Sequence, residues 1–402
     1  MDFKFPADDD ERRLKVRRWF EAYPKPSYAE MAKEGYVASN WPPPWGLGAD
    51  AELQLIIDQE IERAGILHPI KVNAIGINQC GQSLLTHGTE EQRQRFLPPA
   101  LACTERWCML FSEPSGGSDL GALRTSARRE GDHYVLNGQK IWNSFAHLSQ
   151  IGVVLARTDP TVPKHRGLSM FLIDMNGPGV EVRPIKDMTG EAPEYNEVFL
   201  TDVKVPADRR LGNEGDGWRI VIEQLQTERT KMAVPAAVWG NGPTARELVT
   251  GMIQAGKIKD PLFRDEAARL LVEGEILRLL SLRNLSNRMN GKPAGIEGNI
   301  GKMLASPHGQ RVSDLAKRTQ GAAGMIRSRD VLPLPDKHYG WVDNWDYAYW
   351  FGPASTLGVG TQEVLKNSVA ERMLGLPREL DPTASLPFNQ ARSTVANDGA
   401  RT

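Results

Sequence analysis

The period of the apolar pattern changes twice along this chain, and that double change excludes most folds. Up to residue 106 the apolar residues recur at helical spacing; from 107 to 215 they come as short strand-like runs between turns; from 216 helical spacing returns. A doubly wound nucleotide-binding sheet needs strands and helices in alternation, so that fold is excluded. Neither GxGxxG nor GxxxxGK[ST] occurs. The order predicts an α+β multidomain chain: an N-terminal helical domain over 1–106, a middle β-barrel or sandwich domain over 107–215, a C-terminal four-helix bundle over 216–380 and a loosely held polar tail over 381–402.

Individual segments sharpen this. A charged amphipathic helix is predicted over 9–23, ending before Pro24, and another over 50–68, where Leu53, Leu55, Ile56, Ile57 and Ile61 form a stripe. A further helix is expected from Glu90 to Pro98, because proline removes a backbone donor. In the middle region Asn137-Gly138 separates two strand-like runs, a strong hairpin signal. Strands are predicted over 151–156, 168–174, 180–185 and 198–205. Later helices are predicted over 218–232, along the face Phe263, Ala267, Leu270, Gly274 and Leu277, and over 302–315 and 363–373.

Composition bounds the function. A chain of 402 residues predicts two or three domains at roughly 150 residues each. Forty-nine Lys and Arg against fifty Asp and Glu leave a net charge of −1, without the basic excess of a non-specific nucleic-acid binder. No apolar run approaches the roughly 18 residues of a membrane span, and the charged start MDFKFPADDDERRLKVRR does not resemble a secretory signal. Three cysteines cannot build a disulfide framework, so a reducing, cytoplasmic compartment is expected. The seven histidines include no metal-binding spacing.

Two motifs carry chemistry. Cys108-Met-Leu-Phe-Ser-Glu-Pro-Ser-Gly-Gly-Ser-Asp119 lies where the helical region meets the sheet region. Its glycines let backbone approach a ligand, and its N–H groups with Ser112 and Ser118 suit phosphate or heteroaromatic acceptors; it also reads as an ordinary turn. Gly138-Gln-Lys-Ile-Trp-Asn-Ser144 offers Trp142 to stack on a flat ring beside the Ser144 hydroxyl, or a core tryptophan of a small barrel.

With these residues in view the chain resembles the acyl-CoA dehydrogenases over roughly residues 40–380. The ordered landmarks are His87-Gly-Thr-Glu-Glu-Gln-Arg, Phe111-Ser-Glu-Pro-Ser-Gly-Gly-Ser-Asp, Asn137-Gly-Gln-Lys-Ile-Trp, Val205-Pro with Gly215-Asp-Gly-Trp218, and Gly360-Thr-Gln-Glu-Val with Ala370-Glu-Arg-Met-Leu-Gly-Leu-Pro-Arg378. The resemblance implies FAD held between the middle domain and the bundle. It implies Phe111 and Ser112 at the flavin ring, Gly117 and Ser118 near the flavin phosphates and the pantetheine of the thioester, Trp142 and Ser144 against the isoalloxazine, and Thr361 and Glu363 holding FAD from the bundle side. Glu113 and Glu371 are read as structural acids.

Two departures are informative. Many relatives place the catalytic glutamate before the Gly-Thr of the last landmark, where this chain has Val359. A valine accepts no proton, although its backbone N–H remains a donor for a thioester oxygen. The isovaleryl, long-chain and actinobacterial steroid-side-chain branches carry the acid on the first bundle helix in Leu-x-x-Glu-Arg, and Leu225-Gln-Thr-Glu-Arg229 matches that motif. The resemblance therefore implies Glu228 as base and Arg229 as the residue ordering the substrate end of that helix. The second departure is the lack of the family's R-x-x-F-G; the region reads Lys259-Asp-Pro-Leu-Phe-Arg264, with Gly321-Ala-Ala-Gly324 further on. The expected function is FAD-dependent dehydrogenation of an acyl-CoA to trans-2-enoyl-CoA, with electrons passed to an electron-transfer flavoprotein, in a homotetramer, homodimer or heteromer. A flavin oxidase or monooxygenase on the same fold, or a partner subunit of a heteromeric dehydrogenase, are the alternatives. Tyr347, Trp350, Phe351 and Pro353 are candidates for the tail pocket.

Overall fold

The structure is a computed structural model that describes residues 6–190, 194–231, 243–290, 297–325 and 345–391, with backbone alone at 226–231, 288–289 and 297. Two compact units emerge: Phe5–Lys186 with Pro193–Gln224 and Glu379–Thr402, and Asp187–Ala192 with Leu225–Arg378 and the first residues of the chain.

The first unit opens with helices α1 (Glu11–Ala22), α2 (Tyr28–Lys33), α3 (Ala51–Arg63), α4 (Pro69–Val72), α5 (Cys80–His87) and α6 (Glu90–Leu101). Asp10 caps α1 and Asp50 caps α3, each accepting from a first-turn N–H that the helix itself cannot satisfy. The α3 stripe buries Ile56, Ile57 and Ile61. Glu60 is buried among them, 3% exposed, and takes hydrogen bonds from Arg13, Arg17 and Arg63. Contrary to the expected stop, α6 runs through Pro98 and Pro99. A Thr89–Gln92 capping box starts it, and burial of Leu97, Ala100 and Leu101 holds its end despite the missing donors.

The sheet follows, as β1 (Trp107–Leu110), β2 (Ser126–Glu130), β3 (His133–Lys140), β4 (Ile151–Arg157), β5 (Leu168–Asp174), β6 (Val180–Pro184), β7 (Asn196–Pro206) and β8 (Arg210–Leu211). The order is β6-β7-β3-β2-β4-β5-β8, with β1 parallel to β4. Every residue of β4 is buried, as a central strand covered on both faces must be. Leu110, Tyr134, Leu136, Val154, Phe171, Val198 and Leu200 share its core.

The hairpin expectation is corrected here. Asn137-Gly138 lies inside β3, and the β2–β3 turn falls at Gly131-Asp132, with Glu130 opposite His133. The register against β7 shifts between Leu136 and Gly138. Asn137 exchanges hydrogen bonds with Asp202, which sits at φ 50. A Cβ at Gly138 would lie 2.3 Å from the Thr125 hydroxyl oxygen, so this glycine serves a bulge and a close approach rather than a turn.

The tail is corrected too. Residues 381–391 pack with the first unit: Phe388 is 6% exposed, and its N–H donates to the Val162 carbonyl. Cys80 and Cys108 are buried and Cys103 half-buried; burial pushes the thiols of Cys103 and Cys108 up to about 12.

The boundary to the second unit falls within α7 (Gly217–Lys231). Then come α8 (Ala245–Gln254), α9 (Pro261–Met289), α10 (Glu297–Thr319), α11 (Trp345–Phe351), α12 (Ala354–Leu357) and α13 (Gln362–Arg372). Helices α8, α9 and α10 share a core of Leu248, Met252, Ala267, Leu270, Val312 and Leu315. Asn299 and Gln362 join α10 to α13 through Ser368 and the Met303 carbonyl. No helix of the described residues is long and apolar enough to cross a membrane.

Candidate functional site

In the first unit the end of β1 delivers Phe111, buried, and Ser112, half-buried. The Ser112 carbonyl accepts from the Ile141 N–H at 3.0 Å, which ties the two motifs together. The next loop closes on itself: the Glu113 and Gly116 backbones exchange hydrogen bonds of 3.1 and 3.0 Å.

A buried ion pair anchors both. Lys140, at the end of β3, donates to the Glu113 carboxylate at 2.9 Å, the Phe111 carbonyl at 3.0 Å and the Leu155 carbonyl at 2.8 Å. Glu113 also accepts from the N–H groups of Arg124 and Thr125. Burial alone would push the Glu113 carboxyl up; Lys140, Thr125 and the Arg124 N–H more than offset it and hold it below its ordinary value. Full burial draws the Lys140 ammonium down to about 8 against the opposing pull of Glu113. The contact has the geometry of an ion pair, and Glu113 is occupied as an anchor. The sequence reading named Glu113 structural but missed Lys140. Its signal was there: Leu136, Gly138 and Lys140 alternate on one face of β3, so a lysine in that series points inward and needs a carboxylate.

Trp142 is 56% exposed, which overturns the core-tryptophan expectation. It holds φ 63, and Phe145 follows at φ 55. Non-glycine residues in this region are uncommon and persist only where neighbours fix them. Here Asn143 donates from its backbone to Asn196 and from its side chain to the Met109 carbonyl, while Asn196 returns a bond to the Asn143 carbonyl. Tyr195 meets the indole edge-on, with centroids 6.0 Å apart. The result is a rigid outward aromatic face beside half-buried Ser144. A Cβ on Gly117 would meet nothing within 4 Å, and Gly117 and Ser118 are exposed. Phe111, Ser112, Gly117, Ser118, Trp142 and Ser144 thus belong to two adjoining segments pinned by one ion pair.

Along α7, Gln224 is buried and its amide donates to Cys80 Sγ at 3.2 Å and Met109 Sδ at 2.9 Å. Glu228 and Arg229 follow in the helical backbone; their side chains lie outside the described residues.

In the second unit α12 ends at Gly358, and Val359 holds φ 58, followed by Gly360 at φ 93. Buried Lys302 donates to the Gly360 carbonyl at 2.8 Å and fixes this turn. Thr361 caps α13 by accepting from the Val364 N–H. Glu363 is exposed in the first turn, its carboxyl held below the ordinary value by its own backbone N–H and the Thr361 hydroxyl. Val359, Thr361 and Glu363 therefore cluster on one strained turn. Tyr347 and Phe351 are buried and stacked on each other at 5.1 Å, Trp350 is partly exposed and Pro353 exposed. Arg264 is exposed near the start of α9.

Comparisons with known proteins agree with this arrangement. Three family models match in sequence: the acyl-CoA dehydrogenase N-terminal domain over residues 9–104, the middle domain over 108–203 and the C-terminal domain over 215–374. The chain is 36% identical to acyl-CoA dehydrogenase IpdE1 of Mycobacterium tuberculosis, with 87% of each chain covered. It is also 36% identical to acyl-CoA dehydrogenase FadE34 of the same organism over 87% of this chain; it spans about half of that longer relative, 46% of its length. Among solved structures, the Tcur3481-Tcur3483 steroid ACAD matches at 26% identity and TM-score 0.75 over 94% of this chain and 100% of that one. The ChsE4-ChsE5 complex from Mycobacterium tuberculosis matches at 28% and 0.75 with the same coverage. The helical–sheet–helical order, the Lys140-pinned motif pair and these matches converge: the chain belongs to the acyl-CoA dehydrogenase family.

Proposed function

We propose that this chain binds FAD and removes two hydrogens from the α and β carbons of an acyl-CoA thioester, giving a trans-2-enoyl-CoA, with Glu228 as the base. One observation carries the assignment: Val359 stands where many relatives keep their acid, while Leu225-Gln-Thr-Glu-Arg229 supplies an acid on α7.

The residues present fit the cofactor. An outward indole at Trp142 suits a flat ring system, Ser112 and Ser144 supply hydroxyls beside it, and the open space at Gly117 admits a phosphate near backbone N–H groups. In the second unit, Thr361 and Glu363 offer polar groups on the turn that opens α13. When bound, FAD supplies the acceptor for the hydride leaving the β carbon. The chain's own part is to hold and move the α proton. Glu228 takes it, Arg229 orders the end of α7, Ser118 meets the pantetheine arm, and Val359 contributes only through its backbone. Negative charge grows on the thioester oxygen as the proton leaves, so hydrogen bonds to that oxygen lower the barrier.

Electrons then pass to an electron-transfer flavoprotein. The likeness to the Tcur3481-Tcur3483 steroid ACAD favours a bulky, ring-bearing acyl group, and its two-part name together with the ChsE4-ChsE5 complex favours assembly with a related chain.

The test is Glu228→Gln. Loss of a general base costs roughly 10²–10⁴-fold in rate. The variant keeps its yellow flavin and loses flavin bleaching by that factor when titrated anaerobically with straight-chain and steroid-side-chain acyl-CoA thioesters. Bleaching at the wild-type rate would remove Glu228 from the mechanism.

A further inference from the structure

We propose that residues 381–391 form a positioning strap for the loop that carries Gly117 and Ser118, and that Phe388 and Arg157 transmit its hold. The consequence for ligand binding rests on the FAD reading above; the mechanical part does not.

The argument starts at Arg157, which ends β4 with a buried side chain. Its backbone N–H donates to the Thr125 carbonyl at 2.7 Å. The guanidinium spreads its donors over three backbone carbonyls: Gly121 at 2.7 Å, Lys164 at 3.0 Å and Leu123 at 3.3 Å. One cation therefore fastens the far end of the glycine-bearing loop to the 158–167 turn. The fit between them is close, since a Cβ on Gly121 would lie 2.6 Å from the His165 ring.

The strap covers the exposed side of this fastening. The Arg157 guanidinium carbon Cζ lies over the Phe388 ring, 3.5 Å from the ring centroid, where the negative face of the ring attracts the cation. The strap backbone is itself held: the Phe388 N–H donates to the Val162 carbonyl at 2.9 Å, the Asn389 N–H to the Pro160 carbonyl at 3.0 Å, and Pro387 bridges Pro163. A second line runs through Lys164. Its ammonium lies 3.7 Å from Asp381 on the strap and 3.1 Å from Asp119 on the loop. The strap thus reaches the loop at Asp119 on one line and at Gly121 and Leu123 on the other, on the C-terminal side of Gly117 and Ser118. The Glu113–Lys140 anchor holds the base of the loop, while Gly117 itself meets nothing within 4 Å, so these tethers are a second hold on the side that follows Gly117 and Ser118.

Full-length Phe388→Ala, Phe388→Leu and Phe388→Tyr separate positioning from mere stability. The first measurement is amide exchange in the ligand-free proteins, comparing residues 113–124 with β5. The second is FAD affinity, titrated into flavin-free protein. Loss of the ring face speeds loop exchange by about tenfold in Phe388→Ala and Phe388→Leu and weakens FAD binding by a similar factor. β5 stays protected, and Phe388→Tyr restores both quantities. Unchanged loop exchange overturns the strap, as does equal acceleration in β5. A loosened loop with unaltered FAD affinity overturns the ligand consequence. Wild-type protein that takes up no FAD overturns the function proposed above, while the exchange comparison still decides the strap. If Phe388→Ala does not fold, Phe388→Leu, which keeps the bulk without the ring, distinguishes the same outcomes.

Discussion

Val359 joins an uncommon backbone conformation to a departure from the family motif. The resemblance expects an acid here in many relatives, and this chain instead holds a β-branched side chain at φ 58. Such a conformation costs about 1–3 kcal/mol. Val359→Gly removes that strain at the expense of about 0.5–1 kcal/mol of extra freedom in the unfolded chain. The expected net gain is about 1 kcal/mol in urea-unfolding stability; a loss of stability would mean the Val359 side chain has packing that outweighs the strain. Trp142 makes the same point in the other unit. The motif alone left a ligand face and a core residue both open, and only the family resemblance chose the ligand face, because exposure depends on the Asn143–Asn196 exchange that props the backbone open. Glu113 was legible as structural, and its lysine partner was legible only from the alternation along β3, which the Asn137-Gly138 turn signal masks.

At the scale of elements, α1 and α3 are joined through Glu60. Burial pushes its carboxyl up, but Arg17, Arg13 and Arg63 overcome this and bring it from 4.5 to about 2. A carboxyl whose folded value lies below its unfolded one stabilises fully above pH 4.5, and that contribution is lost as pH falls toward 2. The shift corresponds to about 3 kcal/mol. The thermal midpoint therefore drops between pH 5 and pH 3, and Glu60→Gln is less stable at pH 7 with a visibly shallower drop. Equal slopes for both proteins would remove Glu60 as the cause. Elements were legible where one force dominates. The α3 stripe, β4 and the long α9 follow from apolar spacing alone. Asn137-Gly138 misled because a dipeptide that permits a turn equally permits a bulge, and only the neighbouring Thr125 decides between them. Helix α6 outran its prolines because tertiary burial outweighed two missing donors.

At the scale of the whole molecule, the described residues leave Val272, Ile276 and Leu279 exposed at one-turn spacing along α9, with Leu262 exposed near its start. Exposed apolar stripes of this kind mark association surfaces. Light scattering is expected to give a mass above the 44.6 kDa of one chain, either for the protein alone or when co-expressed with a related chain. Val272→Glu with Ile276→Glu lowers that mass; an unchanged mass would place the interface elsewhere. The native sulfurs bear on how such assembly can be watched. Two thiols lie sealed in the interior and burial holds the half-covered third in its protonated form, so maleimide dyes are expected to label the intact fold slowly. A single cysteine introduced on the surface thus becomes a unique handle for fluorescence or spin labels, with no native residue needing replacement.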